Sequence, residues 1–503
     1  MKPITPTFEK KSNNPLYLQL YSYIQDEILR GKILAGEKLP SLRHLSEELH
    51  ISVTTVQQAY DQLLLEGYVT TKRGSGYYVS TLSPIEQSFA RGEHSPLSDF
   101  YADCYDENHN GTNNKSGEAQ RSLDEELLRE HADALYDLSC FDFNKWKKCS
   151  AKVLTDYAHL LTFESDPQGE QSLRREIAKY LYGARGVSCY PNQIVIGAGT
   201  QQITMHLGRI LQQLSIRHVA VEEPGYLPVK KIFADLGMVM TPVRVGEDGI
   251  EISRLPQNIR SAVYVSPSNQ FPTGAVMPVG KRYELLEWAQ RNDSIIIEDD
   301  YDSELRYFGR PIPAMQGLDT GERVVYLGSF SSTLFPAIKI SYMVLTPSLA
   351  KAFEELKKGY TQTCSKSEQL TLALFMNNGY YNAGVRKLRR LYAQKLHATI
   401  AALSGYGGDF IKIRSAQSGL NVILEIGSAE TSEGDAHTSG KSSVSQIKKF
   451  CEEAAALGIT AVPVSAYADK SESSGNSLVL YFDQIPLARI DSLISELISR
   501  AKL

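Results

Sequence analysis

Short apolar, β-branched runs recur through the larger part of this chain: Ile194-Val195-Ile196, Ala262-Val263-Tyr264-Val265 and Ile295-Ile296-Ile297. Uninterrupted runs of this kind suit parallel strands buried on both faces, because helices cover each side of such a sheet. Their alternation with helical patterns from about Leu135 to Leu503 predicts an α/β fold with a mainly parallel sheet and a smaller α+β subdomain at the C-terminal end. Sheets of this class bind ligands outside the carboxyl ends of their strands. The residues that follow each run are therefore the first place to look for chemistry.

A chain of 503 residues exceeds one ordinary core, so two or more domains are expected. No stretch of eighteen apolar residues occurs, and Met1-Lys2-Pro3-Ile4-Thr5-Pro6 lacks the apolar segment of a signal peptide. The expectation is a cytoplasmic protein with no membrane partner. The cysteines at 104, 140, 149, 189, 364 and 451 show no C-x-x-C spacing and no nearby histidines, which argues against a disulfide framework and a metal site. Net charge is −5, and residues 1 to 80 carry nine Lys and Arg against eight Asp and Glu. Gross charge thus gives no argument for nucleic-acid binding, and any such reading rests on where particular residues sit.

Composition divides the chain into a module over residues 12–80, a linker over 81–134 and a large domain over 135–503. The centre of the linker, Asp106 to Gln120, has no large apolar residue and cannot bury enough surface to offset the entropy of ordering. Two further polar tracts, Gly427 to Ser445 and Asp469 to Ser477, read as surface loops.

In the N-terminal module, Leu16, Leu20, Ile24 and Ile28 recur every fourth residue and predict a helix that Gly31 ends. Ser41 is a candidate N-cap for a second helix with Leu42, Leu45 and Leu49 on one face, and Ser52 for a third with Val56, Ala59, Tyr60 and Leu63 inward. Thr54, Thr55, Gln57 and Gln58 are left on the outer, N-terminal part of that third helix. This is a helix-turn-helix pattern, and Lys72-Arg73-Gly74-Ser75 between two short β-patterns adds a hairpin wing with cations at its tip. The stretches Leu39-Pro40-Ser41-Leu42-Arg43, Val53 to Tyr60, Glu66-Gly67-Tyr68 and Gly74-Ser75-Gly76 resemble the winged helix-turn-helix of GntR-type transcription regulators. The resemblance implies double-stranded DNA as a partner, with Ser41, Arg43, Ser52, Thr54, Thr55, Gln57, Lys72, Arg73, Gly74 and Gly76 as DNA-binding residues.

In the large domain, Asp299 and Tyr301 sit at the end of the run Ile295 to Ile297, where a carboxylate can pair with a protonated pyridine nitrogen and a phenol with a ring oxygen. Gly199, Thr200 and Gln201 follow Ile194 to Ile196 and open a helical pattern, so backbone N–H groups there can hold a phosphate. Ser329 and Ser331 add hydroxyls from another strand end, and Tyr226 of Glu223-Pro224-Gly225-Tyr226 offers an aromatic ring to a cofactor face. In this order, together with Asp166-Pro167-Gln168-Gly169, Pro267 to Gly274 and Phe335-Pro336-Ala337, these motifs resemble a fold-type I aminotransferase. With the N-terminal module the chain resembles the MocR-type subfamily of GntR regulators. That resemblance implies a pyridoxal 5'-phosphate-type ligand and a head-to-tail homodimer.

The pattern breaks where the family places its covalent anchor. In Ser329-Phe330-Ser331-Ser332-Thr333-Leu334, a lysine is expected at Ser332, and an arginine at Lys339. A serine cannot form a Schiff base and does not readily replace lysine as the base that moves a proton. Lys339 keeps the charge but loses the planar two-pronged donor. Phe271 replaces the asparagine of plain aminotransferases, and Ser477 to Phe482 lacks a substrate-carboxylate arginine, for which Arg414 is a candidate substitute.

No catalytic residue is therefore assigned. The sequence predicts a DNA-binding transcription regulator whose aminotransferase-like domain senses a small-molecule effector: pyridoxal phosphate, or a pyridoxamine or amino-acid adduct of it, held non-covalently. An aminotransferase with a DNA-binding appendage and a ligand-independent dimeric repressor are the alternatives.

Overall fold

The computed structural model describes residues 16–65, 68–72, 76–79, 138–307, 313–415, 419–427, 439–468 and 476–502. The predicted linker, the wing-tip residues Arg73 and Gly74, and most of the two polar tracts lie outside the described residues. The described residues divide into two compact units: 16–79 with 143–383 and 419, and 138–142 with 384–415 and 420–502.

The N-terminal module consists of α1 (Leu16–Leu29), α2 (Leu42–Leu49), α3 (Val53–Leu65) and a hairpin of β1 (Val69–Lys72) and β2 (Gly76–Val79). The periodic residues do what their spacing requires. Leu20, Ile24, Ile28, Leu45, Val56, Ala59, Tyr60 and Leu63 are buried, whereas Leu16, at the end of its stripe, is exposed. Gly31 follows α1 in the left-handed region, with φ 68. Ser41 caps α2 by accepting from the His44 amide at 3.3 Å, and Ser52 caps α3 by accepting from the Thr55 amide at 3.0 Å. The antiparallel hairpin pairs Lys72 with Gly76, and an isolated bridge ties Lys38 to Tyr78 beside it.

The rest of the first unit is built from α4 (Phe143–Asp156), α5 (Gln171–Arg185), β3 (Ile194–Ala198), α6 (Thr200–Gln213), β4 (His218–Glu223), α7 (Leu227–Asp235), β5 (Val239–Gly246), β6 (Gly249–Ile250), β7 (Ser261–Val265), α8 (Val279–Arg291), β8 (Ile295–Asp299), β9 (Val324–Ser329), β10 (Ile340–Val344), α9 (Pro347–Leu356) and α10 (Lys366–Asn377). Eight strands form one sheet in the order β3-β10-β9-β8-β7-β4-β5-β6. The five from β9 to β5 are parallel neighbours, as the apolar runs predict.

The run Ile194 to Ile196 departs from that expectation. It forms the edge strand β3 and pairs antiparallel with β10, which also runs antiparallel to β9. Its residues are nonetheless buried, so burial on both faces, and not parallel pairing, is what produced the uninterrupted apolar run.

Helix α11 (Tyr380–Gly407) leads out of the first unit. The second unit holds an antiparallel four-stranded sheet of β11 (Ile411–Ser415), β12 (Asn421–Ile426), β13 (Ala461–Pro463) and β14 (Ser477–Tyr481), ordered β11-β12-β14-β13, with α12 (Ser439–Ala456) and α13 (Ile490–Lys502). This is the α+β subdomain expected from the sequence. Among the described residues no helix is long and apolar enough to cross a membrane.

Candidate functional site

Several of the predicted residues lie at strand ends of the large sheet. Asp299 is the last residue of β8, and Tyr301 follows it in a turn. Asp299 is 8% exposed, and its Oδ2 accepts a short hydrogen bond from the buried Tyr264 hydroxyl of the neighbouring strand. Burial pushes the Asp299 carboxyl up to about 7, with the charges of Asp300 and Asp302 adding to the rise and the Tyr264 hydrogen bond opposing it. A cationic ring nitrogen brought against this group would favour its ionised form.

Two strands, β9 and β10, separate β8 from β3, at whose end lies the candidate anion cradle. Gly199, with φ 87 and no neighbour in the way of a Cβ, turns the chain from β3 into α6. The amides of Thr200 and Gln201 open that helix and have no intrahelical carbonyl to bond. Register links the cradle to the serine loop: Ser341 of β10 pairs with Gly197 on one side and Ser329 on the other. The Ser341 hydroxyl donates to Ser329 Oγ at 3.0 Å, the Ser331 amide donates to the same oxygen at 3.3 Å, and the Ser329 hydroxyl donates to Ser331 Oγ at 3.4 Å. Gly328 precedes this loop because a Cβ there would lie 2.4 Å from the ring of Tyr342, which is itself buried.

Ser332 is half-buried in the turn after Ser331 and makes no hydrogen bond among the described residues. Lys339 is exposed and adopts a left-handed conformation, φ 48, an uncommon one for a residue with a Cβ. Tyr226 caps α7 and is 38% exposed, and Phe271 meets Tyr226 and Tyr301 edge to face with centroids 6.2 and 6.1 Å away. Arg414, considered for a substrate carboxylate, forms an ion pair with Glu425 of the adjacent strand at 2.6 Å. Among the described residues no cluster of three or more His, Cys, Asp and Glu could hold a metal ion.

The DNA-contact candidates divide by what they do locally. Thr54 and Gln57 are exposed on α3, and Arg43 is exposed on the first turn of α2, its side chain unengaged among the described residues. Ser41 and Ser52 serve as helix caps, and the Ser52 and Thr55 hydroxyls lie 2.8 Å apart. Gly76 begins β2 with φ 108, a backbone conformation open to glycine. Lys72 ends β1 beside it.

With the geometry in place, comparison with known proteins gives a consistent answer. The description "Bacterial regulatory proteins, gntR family" matches residues 16–79, and "Aminotransferase class I and II" matches residues 137–436. The chain is 39% identical to the HTH-type transcriptional regulator YdeL of Bacillus subtilis, over 84% of this chain and 86% of that one. It is 32% identical to the probable rhizopine catabolism regulatory protein MocR of Rhizobium meliloti, over 82% of each. The chain belongs to the MocR-type subfamily of GntR regulators. Among solved structures, this MocR-type regulator resembles a Pyrococcus horikoshii kynurenine aminotransferase in complex with PMP, at 25% identity and a TM-score of 0.61, covering 76% of this chain and 95% of that one.

Three groups in this regulator escaped the reading by motif. Tyr264 lies inside an apolar run, yet a tyrosine in a doubly covered strand needs a partner for its hydroxyl, and that was the available signal. Arg185 pairs with Asp300 across 115 positions. Glu222, 3% exposed at the end of β4, accepts from the Ser266 amide at 3.2 Å and from Gln270 Nε2 at 3.3 Å. Burial pushes its carboxyl up to about 8 despite these bonds and nearby Lys230.

The folded chain therefore retains a proton on Glu222 that the unfolded chain releases above the ordinary value of 4.5. This contribution to stability is complete below that value and is lost as pH rises through about 8. Glu222→Gln keeps the shape without the proton, so denaturation should show the variant gaining stability relative to wild type as pH is raised across this window. A constant difference between the two proteins would remove the assignment.

Proposed function

We propose that this regulator binds a vitamin B6 phosphate, or an amino-acid adduct of one, non-covalently in its aminotransferase-like domain, and that occupancy changes its affinity for a DNA operator without transaminase turnover. The observation that supports this reading is Asp299, buried at a strand end with one oxygen bonded by Tyr264, taken with a serine, Ser332, where the family resemblance leads one to expect the anchor lysine.

These residues fit the ligand's parts. Asp299 would take the ring nitrogen, Tyr301 the ring oxygen, and Tyr226 a ring face. Gly199, Thr200, Gln201, Ser329 and Ser331 would hold the phosphate, with Lys339 supplying charge and Ser332 lining the site where an amine is absent. The bound group would supply the electron-withdrawing ring of B6 chemistry. Without an amine at position 332 the chain's own residues bind and orient it and provide no covalent attachment.

The N-terminal module, residues 12–80, would contact the operator through Arg43, Thr54, Thr55 and Gln57 in the major groove and through Lys72, Arg73, Gly74 and Gly76 of the wing. Residues 81–134 would tether it to the domain of residues 135–503, with a head-to-tail homodimer presenting two modules. A ligand shifts operator affinity only through different affinities for two arrangements of that dimer.

The direct test of the site is Ser332→Lys. Wild type titrated with pyridoxal phosphate should bind it and release it on dialysis, with nothing fixed by borohydride. The variant should gain a borohydride-fixed cofactor with a matching mass increase. Failure of both proteins to bind would contradict the proposal.

A further inference from the structure

We infer that Tyr264 is a positioning residue for ring-nitrogen recognition: its hydroxyl occupies one oxygen of Asp299 and leaves the other as the acceptor for the ligand's ring N–H. The inference rests on the B6-phosphate reading of the site and goes beyond it, because it assigns the selection of a nitrogen-bearing ring to a pair of residues on neighbouring strands.

The geometry follows from sheet register. Strands β7 and β8 are parallel, with Tyr264 opposite Ile297. Asp299 is two residues beyond Ile297, so its side chain leaves the same face of the sheet as that of Tyr264. Such diagonal neighbours are about 7–8 Å apart at the backbone, a span that a long aromatic side chain crosses. A phenylalanine would cover the same apolar surface and stop short of the carboxylate.

Tyr264 is 3% exposed, so its hydroxyl needs a protein partner, and it finds one in Asp299 Oδ2. Asp299 Oδ1 has no hydrogen-bond partner among the described residues. The carboxyl groups facing this pair are Glu222 from β4 and Asp300 and Asp302 beyond β8, with the Tyr226 phenol also close. Glu222 is engaged by Ser266 and Gln270, and Asp300 by Arg185, Tyr326 and Ser303. Asp300 and Glu222 Oε2 are thus tied to the scaffold, while Asp299, the last residue of β8, keeps Oδ1 unbonded among the described residues.

The test uses the full-length protein and two probes: pyridoxal 5'-phosphate, and its carbocyclic analogue with CH in place of the ring nitrogen. Affinities are measured by calorimetry for wild type, Tyr264→Phe, Asp299→Asn and the double variant. Removing a hydrogen bond to a charged group should weaken pyridoxal phosphate binding by about tenfold or more. Binding of the carbocyclic analogue should stay nearly unchanged, which also reports an intact site. In the Asp299→Asn background, Tyr264→Phe should have little further effect.

Equal weakening of both probes would assign Tyr264 a structural role and overturn the inference, as would an unchanged affinity for pyridoxal phosphate. If wild type binds neither probe, the B6 reading itself fails and this inference falls with it. A wild type that binds both probes equally would overturn nitrogen selection while leaving the B6 site standing.

Discussion

Replacing Arg185 with methionine is expected to destabilise the large-sheet unit by about 3–5 kcal/mol, the range for removing one partner of a buried ion pair. Arg185 ends α5 with its side chain 1% exposed, and the Asp300 side chain is 0% exposed. The guanidinium donates through Nε to Oδ2 at 2.6 Å and through Nη2 to Oδ1 at 2.7 Å, and Nη2 also reaches Ser268 Oγ at 2.9 Å. Tyr326 and Ser303 donate to the same carboxylate at 2.5 and 2.8 Å.

Burial alone would raise the Asp300 carboxyl, but the Arg185 charge and these hydrogen bonds hold it below its ordinary value. Without Arg185 the chain must either keep an uncompensated anion in the interior or protonate it, and both are costly. Trp146 and Trp288 both lie in this unit, so denaturation followed by tryptophan fluorescence reads it directly. Asp300→Asn added to Arg185→Met should recover part of the loss by removing the orphaned charge. A loss below about 1 kcal/mol, the scale of an exposed pair, would contradict the network as drawn.

Operator binding should fall by about 100-fold or more when Arg43→Ala and Thr55→Ala are combined, since each good contact to DNA contributes on the order of 1–3 kcal/mol. The pair is chosen to spare the fold. Arg43 is exposed and its side chain has no partner among the described residues. Thr55→Ala removes a hydroxyl but leaves the Thr55 amide bonded to Ser52 Oγ, so the cap of α3 survives. Ser52→Ala, by contrast, removes that cap at about 1 kcal/mol of stability and would mix a folding effect with a binding one. Fluorescence anisotropy on an operator fragment, beside a melting curve of each variant, separates the two. Unchanged affinity in a folded double variant would sink the recognition-helix assignment.

Local signals made the N-terminal module readable: the inward faces of its helices, both serine caps and the hairpin all lie within a few residues of their causes. In the large domain, strand ends were readable for the same reason, because Asp299, Gly199 and Ser329 directly follow apolar runs. What escaped was set by pairing between distant segments. The edge position of β3 depends on β10, about 145 positions later, and an apolar run looks alike in either direction. Arg185 carries no mark of Asp300, and Tyr264 is hidden among valines. The second oxygen of Asp299 has its meaning only once two strands lie side by side.

The central claim is that a B6 ligand in the aminotransferase-like site is read out at the DNA. It is tested most directly by measuring operator affinity of the full-length protein with and without saturating pyridoxal phosphate, alongside Asp299→Ala. The account predicts a change of about 5- to 150-fold for wild type, the usual range of coupling between linked sites, and none for the variant. Operator affinity that stays constant while wild type demonstrably binds the ligand would contradict it.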